Sequence, residues 1–169
     1  QVSNMDLASF SRSTETFATS EPPEGKVDIE IKGLTGVGSD ASTLRGKGKI
    51  TISQGKLGRI PVFAGIFSLD PTKWGGNPVF DAGSIYYELS DRKVNIKTLG
   101  FEGKGTSIVG KGSVDFDGNL DLKLRMESGG LFGIDFFLFR IPVQIVDFLR
   151  NAILPIHVTG TLEKPEVNE

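Results

Sequence analysis

The stretch Leu120-Asp121-Leu122-Lys123-Leu124-Arg125-Met126 places an apolar side chain at every second position and a charged one between each pair. Successive side chains of a β-strand point to opposite faces, so this period of two predicts a strand with one apolar and one polar face. The same alternation recurs at residues 27–32, 85–89, 94–96, 108–116 and 156–162. Such a series predicts an antiparallel sheet that is apolar on one side only.

Short turns rich in Gly, Asp and Asn separate the alternating segments. Asp91-Arg92 and Asp117-Gly118-Asn119 are typical of tight hairpin turns, whereas residues 33–42 are expected to form a longer loop. Gly46-Lys47-Gly48 and Gly110-Lys111-Gly112 each open an alternating segment, which indicates a partial internal repeat. The strands are predicted at 26–34, 45–53, 79–90, 93–101, 105–116, 119–127 and 155–162.

Two segments break the alternation and predict short helices. Residues 57–70 carry apolar side chains at helical spacing, and Pro61 is tolerated in the first turn. Pro142 opens a second amphipathic helix at 142–151, which is expected to dock on the rim of the sheet. The apolar side chains of this rim helix are Ile145, Val146 and Leu149.

These elements predict a mainly β fold, in which a curved antiparallel sheet forms a half-pipe or groove with two or three short helices. Residues 1–25, rich in Ser, Thr and Glu, are expected to be a lead-in segment or linker, either irregular or containing a short helix. Residues 26–166 then form one β-domain, which agrees with the chain length of 169 residues.

The composition excludes several classes of function. The formal net charge is −2, which gives no indication of nucleic-acid binding or of a polybasic membrane patch. There is no cysteine, so disulfides and thiolate chemistry are absent. No stretch reaches the roughly 18 apolar residues that span a bilayer. Because the chain opens on Gln1 without a signal peptide, we expect it to be a fragment of a longer protein.

The sequence offers little catalytic or metal-binding chemistry. The only histidine, His157, stands between Ile156 and Val158 and is therefore expected on the polar face of its strand. Asp115, Asp117, Asn119 and Asp121 alternate across a turn and could hold a calcium ion, but no glutamate closes an EF-type loop. We therefore predict no enzyme, no metal site and no cofactor.

What covers the apolar face decides the function. If the chain's own helices and its twelve phenylalanines cover it, the face is an ordinary core. If part of it is open, it forms a trough for a lipid tail, whose burial gains about 0.8 kcal/mol per methylene. The side chains predicted to line the trough are Ile50, Ile52, Ile85, Tyr87, Leu89, Val114, Phe116, Leu120, Leu122 and Leu124.

The order of these elements resembles the C-terminal region of the AsmA-like family, which includes TamB and other bacterial envelope proteins with repeating β-groove architecture. The resemblance covers about residues 26–166. It is carried by Leu44-Arg45-Gly46-Lys47-Gly48, by the segment from Gly55 to Pro61, by the segment from Ile108 to Leu122, and by the closing Val158-Thr159-Gly160-Thr161-Leu162-Glu163-Lys164-Pro165.

The resemblance implies a function without catalysis, in phospholipid transport between membranes or in the assembly and integrity of the outer membrane. It implies phospholipid or another acyl lipid, and envelope proteins, as partners. It also implies a periplasmic location, with the full-length protein anchored in the inner membrane by a segment outside this sequence. The alternative is a structural or protein-interaction module whose apolar face is plugged by its own helices.

Overall fold

The computed structural model describes residues 2–6, 9, 24–56, 80–103, 106–128 and 156–168. Nine strands form one open sheet in which each strand pairs antiparallel with the next in chain order. The strands are β1 (Val2–Asp6), β2 (Glu24–Val37), β3 (Asp40–Lys56), β4 (Phe80–Ser90), β5 (Lys93–Gly103), β6 (Thr106–Asp115), β7 (Leu120–Ser128), β8 (Ile156–Gly160) and β9 (Pro165–Asn168).

The prediction of an antiparallel, mainly β fold is confirmed. β4 to β8 lie within a few residues of the strands expected from the alternation. The predicted helices at 57–70 and 142–151, with the rim side chains Ile145, Val146 and Leu149, lie outside the described residues. Within the expected lead-in segment, β1 pairs Val2 with Ile29 and Asp6 with Lys26 at the edge of the sheet.

The prediction of a loop at residues 33–42 was wrong. β2 runs on to Val37, and β3 begins at Asp40, so a tight turn replaces the loop. The Val37 amide donates to Thr43 Oγ1 at 2.8 Å, and Gly38 takes a φ of 56° in the turn. The glycines in this segment therefore shape a hairpin, because positive φ is inexpensive for glycine.

Glycines on the apolar side of the sheet make room for large side chains on the neighbouring strand. A Cβ on Gly48 would lie 2.5 Å from the ring of Tyr87, its partner across β3 and β4. A Cβ on Gly83 would lie 2.1 Å from the ring of Phe101, its partner across β4 and β5. Since these glycines remove side-chain volume from one face only, they favour bending of the sheet toward that face.

The polar side of the sheet is buried at one end as well. The buried side chains on this side come from β4, β5 and β6, close to the connection between β5 and β6. Glu102 is 7% exposed, and Ser107, its partner on β6, is fully buried. The buried side chains of this group are Ala82, Ser84, Thr98, Glu102, Ser107 and Val109.

The turn between β6 and β7 is organised by one carboxylate. Asp115 Oδ1 accepts the backbone amides of Asn119 at 2.8 Å and Asp117 at 3.0 Å, and Oδ2 accepts the side-chain amide of Asn119 at 2.8 Å. The hydrogen bonds from the side chain and the backbone of Asn119, and then that from Asp117, hold the pKa of Asp115 below its usual range.

We expect Asp115→Ala to lower the Tm at neutral pH, because the turn loses its acceptor. A carboxylate whose pKa is lowered by folding stabilises the fold above its unfolded pKa, and this contribution is lost as pH falls through the folded pKa. The difference in Tm between wild type and variant should therefore shrink below about pH 4. Thermal unfolding at several pH values measures it, with the exposed Glu163→Ala as control. A constant difference would show that the charge of Asp115 has no part in the turn.

Candidate functional site: the apolar face

The apolar face is a set of cross-strand rows in which apolar residues stand opposite one another from β2 to β8. The pairing register assembles it, because partners across neighbouring strands lie on the same side of the sheet. The first row is Val27, Ile52, Gly83, Phe101, Ile108 and Met126. The second row is Ile29, Ile50, Ile85, Leu99, Gly110, Leu124 and Ile156.

Two further rows complete the apolar face. The third extends to the edge strand β9, and the fourth crosses β3 to β7 near the β4–β5 turn. The third row is Ile31, Gly48, Tyr87, Ile96, Gly112, Leu122, Val158 and Val167. The fourth row is Gly46, Leu89, Val94, Val114 and Leu120.

The structure brings nine of the ten predicted trough residues onto this face. Ile52 lies in the first row, Ile50, Ile85 and Leu124 in the second, Tyr87 and Leu122 in the third, and Leu89, Val114 and Leu120 in the fourth. Phe116 differs, because it lies in the turn after β6, where its amide donates to the Arg92 carbonyl. Its side chain is 38% exposed.

Exposure to solvent is uneven across the apolar face. In β6 to β8 most apolar side chains of the face are buried, since Ile108 and Val158 are fully buried and Leu122 is 5% exposed. We call this part the covered end. In β2 to β4 several side chains are only partly buried, and Ile31 is 43% exposed. This open corner comprises Ile29, Ile31, Ile50, Ile85 and Leu89.

Tyr87 borders the open corner and is itself buried. Its ring fills the space that Gly48 leaves on β3, and burial raises the pKa of the phenol. The hydroxyl therefore stays protonated throughout the physiological pH range. Tyr87 supplies neutral aromatic surface to the face rather than acid–base chemistry.

A cavity of about 520 Å³ lies at the β2–β4 side of the sheet, next to the open corner. Leu89, Gly33 and Gly46 contribute to its wall together with the cationic side chains of Lys32, Arg45 and Lys47. The cations have acidic partners: Lys32 with Glu30 at 2.8 Å, Arg45 with Asp91 at 3.0 Å, and Lys47 with Glu88 at 3.0 Å. Apolar surface and charged groups thus meet at this edge of the face.

The polar face carries ion pairs that explain the lowered pKa of Glu88. Lys97 Nζ lies 3.0 Å from Glu88 Oε2, and Lys47 Nζ lies 3.0 Å from Glu88 Oε1. The hydrogen bond from Lys97, followed by that from Lys47, lowers the pKa of Glu88. These pairs are solvent-exposed, and such pairs contribute little to stability.

The residues considered for catalysis or metal binding are engaged in structural contacts. His157 Nε2 lies 2.8 Å from Asp121 Oδ1 across β7 and β8. The Asp115 carboxylate accepts hydrogen bonds within the turn, and the Asp117 carboxylate lies 3.4 Å from the Arg92 guanidinium. These carboxylates of the possible calcium site are therefore engaged in other contacts. Within the described ranges, no group of three or more His, Cys, Asp or Glu side chains is arranged to hold a metal ion.

The comparisons with known proteins leave the family open. No family model, no curated protein and no solved structure matches this chain significantly. The AsmA-like resemblance therefore stays a prediction. In the part of the chain that the structure describes, no helix has the length and hydropathy needed to cross a membrane.

Proposed function

We propose that the chain is a non-enzymatic, AsmA-like protein of the bacterial cell envelope that holds the acyl chain of a phospholipid against its apolar face. The observation that supports this proposal is the continuity of the face, whose apolar rows extend without a charged residue from Ile31 to Val167 and from Ile29 to Ile156. A surface of this kind recognises hydrocarbon and offers no group for covalent chemistry.

Within the face, the open corner is the part that an acyl chain can reach. Its side chains keep partial exposure, so contact with a lipid tail removes additional apolar surface from water. Each methylene buried contributes about 0.8 kcal/mol, so about ten buried methylenes, most of an acyl chain, correspond to micromolar affinity.

In the cell, the protein would act in phospholipid transport between membranes or in the assembly and integrity of the outer membrane. The location is the periplasm, and the full-length protein is anchored in the inner membrane. The expected partners are phospholipids and other envelope proteins.

A second candidate function follows from the covered end. Ile108 and Val158 have no exposure to solvent, as expected for the core of a module that binds only protein. In that case the open corner is a minor gap in a plugged face, and the chain acts in structure or protein interaction. The two candidates differ in whether the purified protein retains lipid.

We expect the double substitution Ile31→Ser and Leu89→Ser to reduce the phospholipid retained by the purified protein severalfold. Both side chains belong to the open corner, and serine removes apolar surface without adding charge. Native mass spectrometry of the detergent-free protein measures the bound lipid. The matched control is Phe116→Ser, an exposed apolar residue in the β6–β7 turn. Wild-type protein without lipid would favour the second candidate, and equal losses in variant and control would contradict a site at the open corner.

A further inference from the structure

The hairpin formed by β2 and β3 extends beyond the strands on either side of it. β1 pairs with β2 only as far as Ile29, and β4 pairs with β3 only from Gly46 onward. In the part of the chain that the structure describes, residues 33–44 therefore have no neighbouring strand. At about 3.4 Å per residue, Asp40 at the end of the hairpin lies about 20 Å beyond Gly46. We call residues 33–44 the projecting hairpin.

A bulge in β2 places Leu34 on the apolar side of the sheet. The register of β2 against β3 shifts between Lys32 and Thr35, and Gly33 in this bulge has a φ of 60°. Leu34 packs on Gly46, since a Cβ on that glycine would lie 3.3 Å from Leu34 Cδ1. Gly46 belongs to the fourth row of the apolar face. The apolar face therefore continues onto the projecting hairpin.

The end of the projecting hairpin is held by side-chain hydrogen bonds. Thr43 Oγ1 accepts from the Val37 amide at 2.8 Å and donates to the Asp40 carbonyl at 2.7 Å. Asp40 Oδ1 accepts from the Ser42 amide at 2.9 Å. An isolated two-stranded hairpin is only marginally stable, so these bonds supply order that neighbouring strands supply elsewhere in the sheet. Val37 is thereby presented on an ordered turn.

The projecting hairpin exposes apolar side chains and carries little charge. Val37 is 72% exposed and Leu34 is 54% exposed, the two highest values among the large apolar residues that the structure describes. Asp40 is the only charged residue between positions 33 and 44. Its hydrogen bonds with Ser42 lower the pKa of its carboxyl, which is therefore ionised at neutral pH. Clustered apolar exposure of this kind marks a surface for interaction with protein or membrane.

We propose that the projecting hairpin docks the protein on a lipid bilayer, with Leu34 and Val37 inserted at the boundary between headgroups and acyl chains. Two side chains at the end of a narrow hairpin bury far less than the roughly 800 Å² per partner of a stable protein interface. A bilayer, in contrast, surrounds an inserted side chain on all sides with hydrocarbon. Insertion stops at this boundary, because the backbone groups on the outer edges of the hairpin need water.

The charge of the projecting hairpin decides which bilayer it meets. Residues 33–44 contain no Lys or Arg, and Asp40 is anionic, so docking depends on apolar contact and not on attraction to anionic headgroups. Zwitterionic phosphatidylcholine is therefore sufficient. The proposal does not rest on the proposed function, because docking needs only the exposed side chains of the hairpin, whether or not the open corner retains lipid.

The test compares wild type with the double variant Leu34→Thr and Val37→Thr in sedimentation with phosphatidylcholine vesicles. Threonine is favourable in a strand and replaces apolar surface with a hydroxyl. The matched control is the double variant Leu34→Ile and Val37→Ile, which keeps apolar surface at the same two positions. The Tm of each protein verifies folding, and native mass spectrometry of the same preparations measures retained lipid.

We expect wild type and the isoleucine variant to bind the vesicles, and the threonine variant to bind about tenfold more weakly at unchanged Tm. Adding phosphatidylglycerol to the vesicles should not strengthen binding. Vesicle binding by a wild-type protein that retains no lipid would support docking and would contradict only the acyl-chain site at the open corner.

Three results would overturn the proposal: no binding of wild type, binding only to vesicles that contain phosphatidylglycerol, or equal binding by the threonine and isoleucine variants. Self-association of wild type that the threonine variant loses, without vesicle binding, would also overturn it. The hairpin would then be an interface with a second copy of the chain.

Discussion

Replacing Gly112 by alanine is expected to lower the free energy of unfolding by about 3 kcal/mol or more. The φ of 151° is essentially restricted to glycine. The new Cβ would also lie 2.1 Å from Asp121 O and 2.7 Å from Leu122 Cα. Both neighbours are backbone atoms of β7, so no side-chain rotation can relieve the overlap. The loss is a large share of the roughly 5–15 kcal/mol that stabilises a typical domain.

Urea unfolding measures this loss, and Gly36→Ala is the matched control. Gly36 lies in the same sheet, has ordinary contacts at 3.4 Å or more around a new Cβ, and has no positive φ. We expect the control to change stability by less than about 1 kcal/mol. Equal effects of the two substitutions would show that β6 and β7 do not approach as closely as the pairing of Gly112 with Leu122 requires.

The alternation of apolar residues predicted the strands and the membership of the apolar face. Side-chain direction in a strand follows from position alone, so Leu120, Leu122 and Leu124 had to share a side. Turn residues such as Asp91-Arg92 then placed β4 beside β5. Phe116 departs from the pattern because the turn begins before it, and the alternation carries no information on where a strand ends.

Contacts between strands could not be predicted in the same way. Along β7, lysine alternates with acidic and apolar residues, which indicates a solvated face with mixed charges. Across the sheet, Lys123 stands opposite Lys111, and the pairing of β5 with β6 shifts by one residue between Ile96 and Leu99. A bulge shifts the pairing by one residue, and such a shift has no strong sequence signal. The placement of Lys111 opposite Lys123 was therefore visible only from the register.

The degree to which each side chain of a row is buried could likewise not be predicted from the sequence. Ile31 and Leu122 both belong to the third row and show the same alternation with charged neighbours. Yet Ile31 is 43% exposed and Leu122 is 5% exposed. Periodicity assigns a side chain to a face, whereas its exposure depends on the packing above that face.

This difference predicts losses of stability of very different size when glutamate replaces the apolar residue at the two positions. Leu122→Glu is expected to lower the free energy of unfolding by about 4 kcal/mol or more, because it places a carboxylate among buried side chains of the covered end. Ile31→Glu is expected to cost less than about 1 kcal/mol, because water can still solvate the charge at the open corner. Both variants add one negative charge to the same row of the apolar face, so the comparison isolates burial. Urea unfolding and the elution volume on gel filtration measure the effects. A folded, monomeric Leu122→Glu protein with near wild-type stability would show that the apolar face is open to water over β7 as well, and the open trough would then extend across the whole sheet.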